Sequence, residues 1–91
     1  MVKPAVVAHP SEFIREEMRA RGWNLTAFLG YSGAASPEDE LGWRLYFRIG
    51  KDFPDMRMGE RGAQQLARAF GTSAELWLHL EKAWMEARHE S

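Results

Sequence analysis

The chain has 91 residues, of which 45% are hydrophobic and 12% aromatic, and its formal net charge at pH 7 is −1. This length allows one small domain, and a charge near zero excludes a strong overall attraction to nucleic acid or anionic membranes. The absence of cysteine excludes disulfides and thiolate chemistry and is typical of a cytoplasmic protein. No apolar run approaches the length that spans a bilayer, so we expect no membrane association.

The start of the chain differs from the rest in its pattern. Residues 1–9 contain Pro4 and lack the spacing of apolar residues that a helix requires. We therefore predict an N-terminal arm over residues 1–9 and a single domain over residues 10–91.

Two helices are predicted next. Apolar residues recur at helical spacing between residues 11 and 21, and Gly22 ends this first helix. Asn24 is a suitable N-cap for a short second helix, because its side chain accepts a free backbone N–H at the helix start. The small residues at positions 30–35 predict a loop that leads to the third helix.

The third helix is predicted over residues 37–49, with Ser36 as its N-cap. Leu41, Leu45 and Ile49 recur every fourth residue, so we expect them to line its buried side. Its first turn is acidic, and its aromatic residues lie elsewhere around its circumference.

The last two helices follow without any pattern typical of a β-strand. The fourth is predicted over residues 58–70, and Gly71 ends it. We expect Thr72 to cap the fifth helix, with Glu75 completing a capping box. The residues expected on the buried side of this helix are Leu76, Leu80 and Trp84. The sequence thus predicts an all-α fold of five helices.

Three stretches carry a resemblance to a known family. Residues 9–18, with the Arg-Gly-Trp-Asn of residues 21–24, and residues 63–80 (AQQLARAFGTSAELWLHL) are similar to HigA/VapI-type antitoxins of the Xre (Cro/C1-like) helix-turn-helix family. The resemblance covers about half of the chain. It implies a lambda repressor-like fold of five helices, a homodimer, duplex operator DNA as a partner and, in antitoxins, a ribonuclease toxin as a second partner.

The middle of the chain departs from that family. The expected connection between the second and third helices is several residues longer than the family's tight turn. The third helix begins with Glu38, Asp39 and Glu40, which would repel phosphate where the family's recognition helix meets DNA. Gly50 and Lys51 match the start of the family's phosphate-binding segment, but Asp52 replaces its next base.

Five basic residues are the candidates for DNA contact. Arginine and lysine bind phosphate with a salt-dependent affinity that comes from counterion release. The candidate residues are Arg44, Arg48, Lys51, Arg57 and Arg61. The alternative is a solvated face on which these side chains pair with Asp52, Asp55 and Glu60.

Three aromatic residues lie off the expected leucine lines and are candidates for a protein interface: Trp43, Phe47 and Trp77. The alternative for them is ordinary core packing. Two functions therefore stay open, a DNA-binding regulator or antitoxin, and a helix-turn-helix domain rebuilt to bind a toxin or another protein.

No pattern indicates catalysis. The histidines are far apart in the sequence, no glycine-rich phosphate loop follows a strand, and no serine lies in a nucleophile-elbow context. We expect neither enzyme activity, nor a metal site, nor a cofactor.

Overall fold

The structure is a computed structural model that describes residues 8–53 and 55–90, with the backbone alone for residues 89 and 90. Within these residues the chain forms the helices α1 (Pro10–Arg21), α2 (Leu25–Ser32), α3 (Pro37–Ile49), α4 (Gly59–Phe70) and α5 (Ala74–Glu90), and no strand. The predicted all-α class is therefore confirmed. Residues 1–7 of the predicted arm lie outside the described residues.

The helices pack around one core that α4 dominates. This helix packs against α2 and α5, and α1 packs against α5. The buried apolar core is formed by Ile14, Phe28, Ala34, Trp43, Tyr46, Ala63, Leu66, Phe70 and Trp77. Among the described helices, none combines the length and the apolar character needed to cross a bilayer.

The local signals that begin α2 and α3 act as predicted. The Asn24 side chain accepts a hydrogen bond of 2.9 Å from the backbone N–H of Ala27. The Ser36 hydroxyl accepts one of 3.0 Å from Asp39. Each bond satisfies one of the amide groups that a helix start leaves unpaired, so both predicted N-caps are confirmed.

The connection between α2 and α3 is shorter than predicted. Gly30 does not end α2, which continues to Ser32 and leaves only residues 33–36 between the two helices. Ser32 is buried, and its hydroxyl is satisfied by donating to the carbonyl of Leu29, one turn earlier. The helix ends at Gly33, whose φ of 76° is readily adopted by glycine. The predicted six-residue loop is therefore wrong, and the connection is a four-residue turn.

The cap of α5 lies one residue later than predicted. The Ser73 hydroxyl accepts from the backbone N–H of Leu76, and the helix begins at Ala74. The Thr72 hydroxyl instead accepts a hydrogen bond of 2.7 Å from the indole of Trp77. The indole needs a partner where it is buried, and Thr72 supplies one.

The buried sides of α3 and α5 differ from the prediction. On α3, Leu41 and Leu45 are 57% and 37% exposed, whereas Trp43 is only 5% exposed. On α5, Trp84 is buried as predicted, whereas Leu76 is exposed and Trp77 is buried in its place. Aromatic side chains remove more apolar area from water than leucine does, so on these two helices they occupy the core side and leave Leu41, Leu45 and Leu76 exposed.

Candidate functional site on the third helix

The inner side of α3 is fixed by two hydrogen bonds between side chains. The indole N–H of Trp43 donates to Oε1 of Gln65 on α4 at 2.7 Å. The phenol of Tyr46 donates to Oε2 of Glu81 on α5, also at 2.7 Å. Each bond is directional and satisfies a buried polar group, so the rotation of α3 about its own axis is fixed.

The outer side of α3 therefore faces solvent. Its exposed stripe consists of Glu38, Leu41, Leu45 and Arg48, with Arg44 beside it. Two leucines at the centre of an exposed helix face are notable in a domain this small, because apolar groups gain by leaving water. This stripe is the candidate functional site.

Two of the three aromatic residues predicted for a protein interface lie on the inner side instead. Trp43 and Trp77 are 5% and 3% exposed and belong to the core. Phe47 is half-buried, and its ring contacts Phe28 edge-on at 5.7 Å. The assignment of Trp43 and Trp77 to an interface is therefore corrected to core packing, whereas Phe47 lines a surface groove together with Arg44 and Arg48.

Arg44 and Arg48 line one groove between α1, α2 and α3, together with Arg15 of α1. Arg44 pairs with Glu40 one turn earlier at 2.9 Å, and both side chains are about half exposed. Such a pair contributes only about 0.3–0.5 kcal/mol and exchanges readily with solvent. Arg48 has no ion pair among the residues that the structure describes, so its guanidinium is available.

Arg15 was missed by the sequence analysis. Its guanidinium donates to the backbone carbonyl of Phe47 at 2.5 Å and lies 5.6 Å from the centre of the Phe47 ring. Its place on the polar side of the first helix gave no sign of this contact, which depends on the packing of α1 against the end of α3.

The other predicted basic residues lie elsewhere. Arg57 and Arg61 line a cleft between α3 and α4, and Lys51 lies in a third depression beside His9 and Arg88. Arg88 donates a hydrogen bond to the backbone carbonyl of Lys51. The five predicted residues thus do not form one patch: Arg44 and Arg48 share one groove, Arg57 and Arg61 share another, and Lys51 lies apart from both.

The acidic first turn of α3 is partly neutralised. Arg61 binds Asp39 through two hydrogen bonds of 2.9 and 2.8 Å, which lower the pKa of the Asp39 carboxyl to about 2. Glu40 pairs with Arg44. Glu38 has no ion-pair partner within residues 8–53 and 55–88, so one of the three acids keeps an uncompensated charge.

His9 belongs to the bundle, although the predicted arm included it. Its ring is 2% exposed and contacts Tyr46 and Trp84 at centroid distances of 4.8 and 4.6 Å. Its Nδ1 accepts from the backbone N–H of Ser11 and so caps α1. Burial lowers the pKa of His9 to about 4, so the ring is neutral at pH 7.

No group of three or more metal-ligating side chains comes together within the described part of the chain. No protein-family model, curated protein or solved structure matches the chain.

Proposed function

We propose that this chain is a DNA-binding transcriptional regulator of the helix-turn-helix class, of the antitoxin type that its sequence resembles. The observation that carries the proposal is the α2–turn–α3 unit. A helix-turn-helix motif consists of two helices joined by a short turn, with an exposed face on the second helix. Here α2 has eight residues, the turn has four and begins with a left-handed glycine, and α3 has an exposed outer face.

The length of the turn is the first support. Helix-turn-helix motifs use a turn of three or four residues, often with glycine. Residues 33–36 meet this requirement, and Gly33 has the positive φ. The longer loop expected from the sequence had counted against DNA binding, and that objection no longer applies.

Charge is the second support. Asp39 is paired with Arg61, so one of the three carboxylates that would oppose phosphate is compensated by a residue that this proposal does not assign to DNA. Arg44 and Arg48 lie at the other end of the exposed stripe, within reach of a backbone that follows the helix. In this proposal they contact phosphates, and the exposed residues of the first turns of α3 lie against the groove.

A salt titration tests the proposal. The probe is a duplex taken from the region upstream of the protein's own reading frame, with an unrelated duplex for comparison. We expect affinity to fall steeply with salt, and the double variant Arg44→Ala/Arg48→Ala to flatten the log–log slope by about 1 to 2. Lys82→Ala, an exposed base on α5, is the matched control and leaves the slope unchanged. Binding that is absent at low salt contradicts the proposal.

A second candidate function is favoured by one observation. Leu41 and Leu45 are exposed in the middle of the stripe, where a DNA reader would place polar side chains. In this view the domain binds another protein through α3, and the ribonuclease toxin implied by the resemblance is the candidate partner.

Salt separates the two functions. A complex with the product of the adjacent reading frame, held by the leucines, is expected to survive at about 0.5 M salt. Interactions between exposed charges are largely screened at that concentration, whereas contacts between apolar side chains are not. It is expected to be lost in Leu41→Glu and retained in Leu76→Glu, which changes an exposed leucine on α5. Equal loss in both variants excludes α3 as the contact.

A further inference from the structure

The exposed stripe of α3 has the spacing of a coiled-coil seam. Its members are Glu38, Leu41, Leu45 and Arg48, separated by three, four and three residues. This is the a and d spacing by which one helix packs along another. All four side chains are exposed, although Leu45 is only 37% exposed because it also lines the cleft between α3 and α4.

The seam is also complementary to itself. Positions 38 and 48 are equidistant from residue 43, and so are positions 41 and 45. If a second copy of α3 lies antiparallel across a two-fold axis at residue 43, Glu38 faces Arg48 of the partner subunit, and Leu41 faces the partner subunit's Leu45. A parallel pair would instead place like charges together at both ends, so charge selects the antiparallel arrangement.

Two further observations agree with this pairing. Glu38 and Arg48 have no ion-pair partners among the described residues, whereas the neighbouring Glu40 and Arg44 pair with each other. Gly42 lies in the middle of a helix, where glycine is unfavourable, and a Cβ added there would meet nothing within 4 Å. The packing of this chain therefore gives no reason for Gly42, while in the antiparallel pair it lies beside the partner subunit's Gly42 at the edge of the seam, where the missing side chains allow the two helices to approach closely.

We propose that two copies of this chain associate through α3, antiparallel, with the leucines at the centre and a Glu38–Arg48 pair at each end. One pair of 13-residue helices buries less than the roughly 800 Å² per partner of a standard interface, so the dimer is weak and depends on concentration. The pairing covers the face to which the proposed function assigns DNA. On that proposal, self-association and DNA binding exclude each other.

The test is a charge exchange followed by sedimentation equilibrium over a range of protein concentrations, at low salt and without DNA. We expect the unaltered chain to dimerise, and Glu38→Arg or Arg48→Glu alone to weaken dimerisation at least tenfold. The double variant Glu38→Arg/Arg48→Glu restores the original dissociation constant to within about threefold, because the opposite charges face each other again.

The exchange of Glu75 and Lys82, both exposed on α5, is the control and changes nothing. Circular dichroism verifies that each variant is folded. A chain that stays monomeric throughout, or a dimer that the single reversals leave unaffected, or a double variant without rescue overturns the proposal. Because DNA is absent, these outcomes leave the proposed DNA binding standing, and a failed duplex titration leaves the dimer standing.

Discussion

The phenol of Tyr46 donates a hydrogen bond of 2.7 Å to the buried carboxylate of Glu81, which also accepts one of 2.9 Å from the backbone N–H of Met58. The Glu81 carboxylate on α5 thus binds both α3, through Tyr46, and Met58, the residue before α4. Burial and the neighbouring Glu81 raise the pKa of the Tyr46 phenol far above its usual value, so it remains a donor at any ordinary pH.

Tyr46→Phe should destabilise the fold by about 1–3 kcal/mol, because it leaves the buried Glu81 carboxylate with one donor fewer. The measurement is urea denaturation followed by circular dichroism. Tyr31→Phe is the matched control, since Tyr31 is exposed and its change is expected to stay within about 0.5 kcal/mol. Equal effects at the two positions would show that the Glu81 contact does not contribute to stability.

Stability should fall as the pH decreases from 6.5 to 4, because of His9. The pKa of His9 is lowered from 6.5 to about 4 in the fold, so in this window the unfolded chain binds a proton that the folded chain does not. The loss from this residue amounts to about 3 kcal/mol at pH 4 and levels off below it.

The variant His9→Asn isolates that contribution. Asparagine also caps a helix but does not titrate, so the free energy of unfolding of the variant should depend less on pH between 6.5 and 4. Carboxyl groups that do not interact with His9 are expected to titrate equally in both proteins and to cancel in the difference. Parallel pH profiles for the two proteins would contradict a buried, neutral His9.

Two glycine-to-alanine changes, one in the turn before α3 and one in the middle of α3, should have opposite effects. Gly33→Ala forces a φ of 76° on alanine and brings its Cβ within 2.7 Å of Nη1 of Arg68, so it should destabilise by about 1 kcal/mol or more. Gly42→Ala meets nothing within 4 Å and should stabilise by about 0.5–1 kcal/mol. Thermal melts of both variants test this, and a destabilising Gly42→Ala would contradict the open environment of that residue.

The orientation of α3 is tested by Trp43→Ala and Leu41→Ala. The first removes a buried indole and should cost about 3–5 kcal/mol, whereas the second, on the outer face, should stay within about 0.5 kcal/mol. Denaturant midpoints compare the two variants. If Leu41 were buried and Trp43 exposed, as the sequence predicts, Leu41→Ala would instead be the more destabilising variant.

The particular residues explain why some features of this fold could be predicted and others could not. The bounds of α3 depend on Ser36, Pro37 and the residues after them, and such local signals are present in the sequence. Which side of α3 is buried depends on competition between aromatic and aliphatic residues for one core, which spacing alone cannot resolve. The burial of His9 depends on rings 37 and 75 positions away, at Tyr46 and Trp84.

The candidate site divides in the same way. Arg44 and Arg48 could be predicted because they share a helix one turn apart. The pairing of Arg61 with Asp39 joins positions 22 apart and follows from the packing of α4 beside α3. The sequence therefore identifies the basic residues that could contact DNA, but it does not show which of them already have ion-pair partners within the chain.

NMR tests most directly the central claim that the exposed side of α3 contacts DNA. Amide resonances are followed as the upstream duplex is added to dilute protein at low salt. The account predicts that the largest shifts fall within residues 37–48, with small changes along the exposed side of α5. Shifts confined to α5 or to residues 51–61, with α3 unaffected, would contradict it.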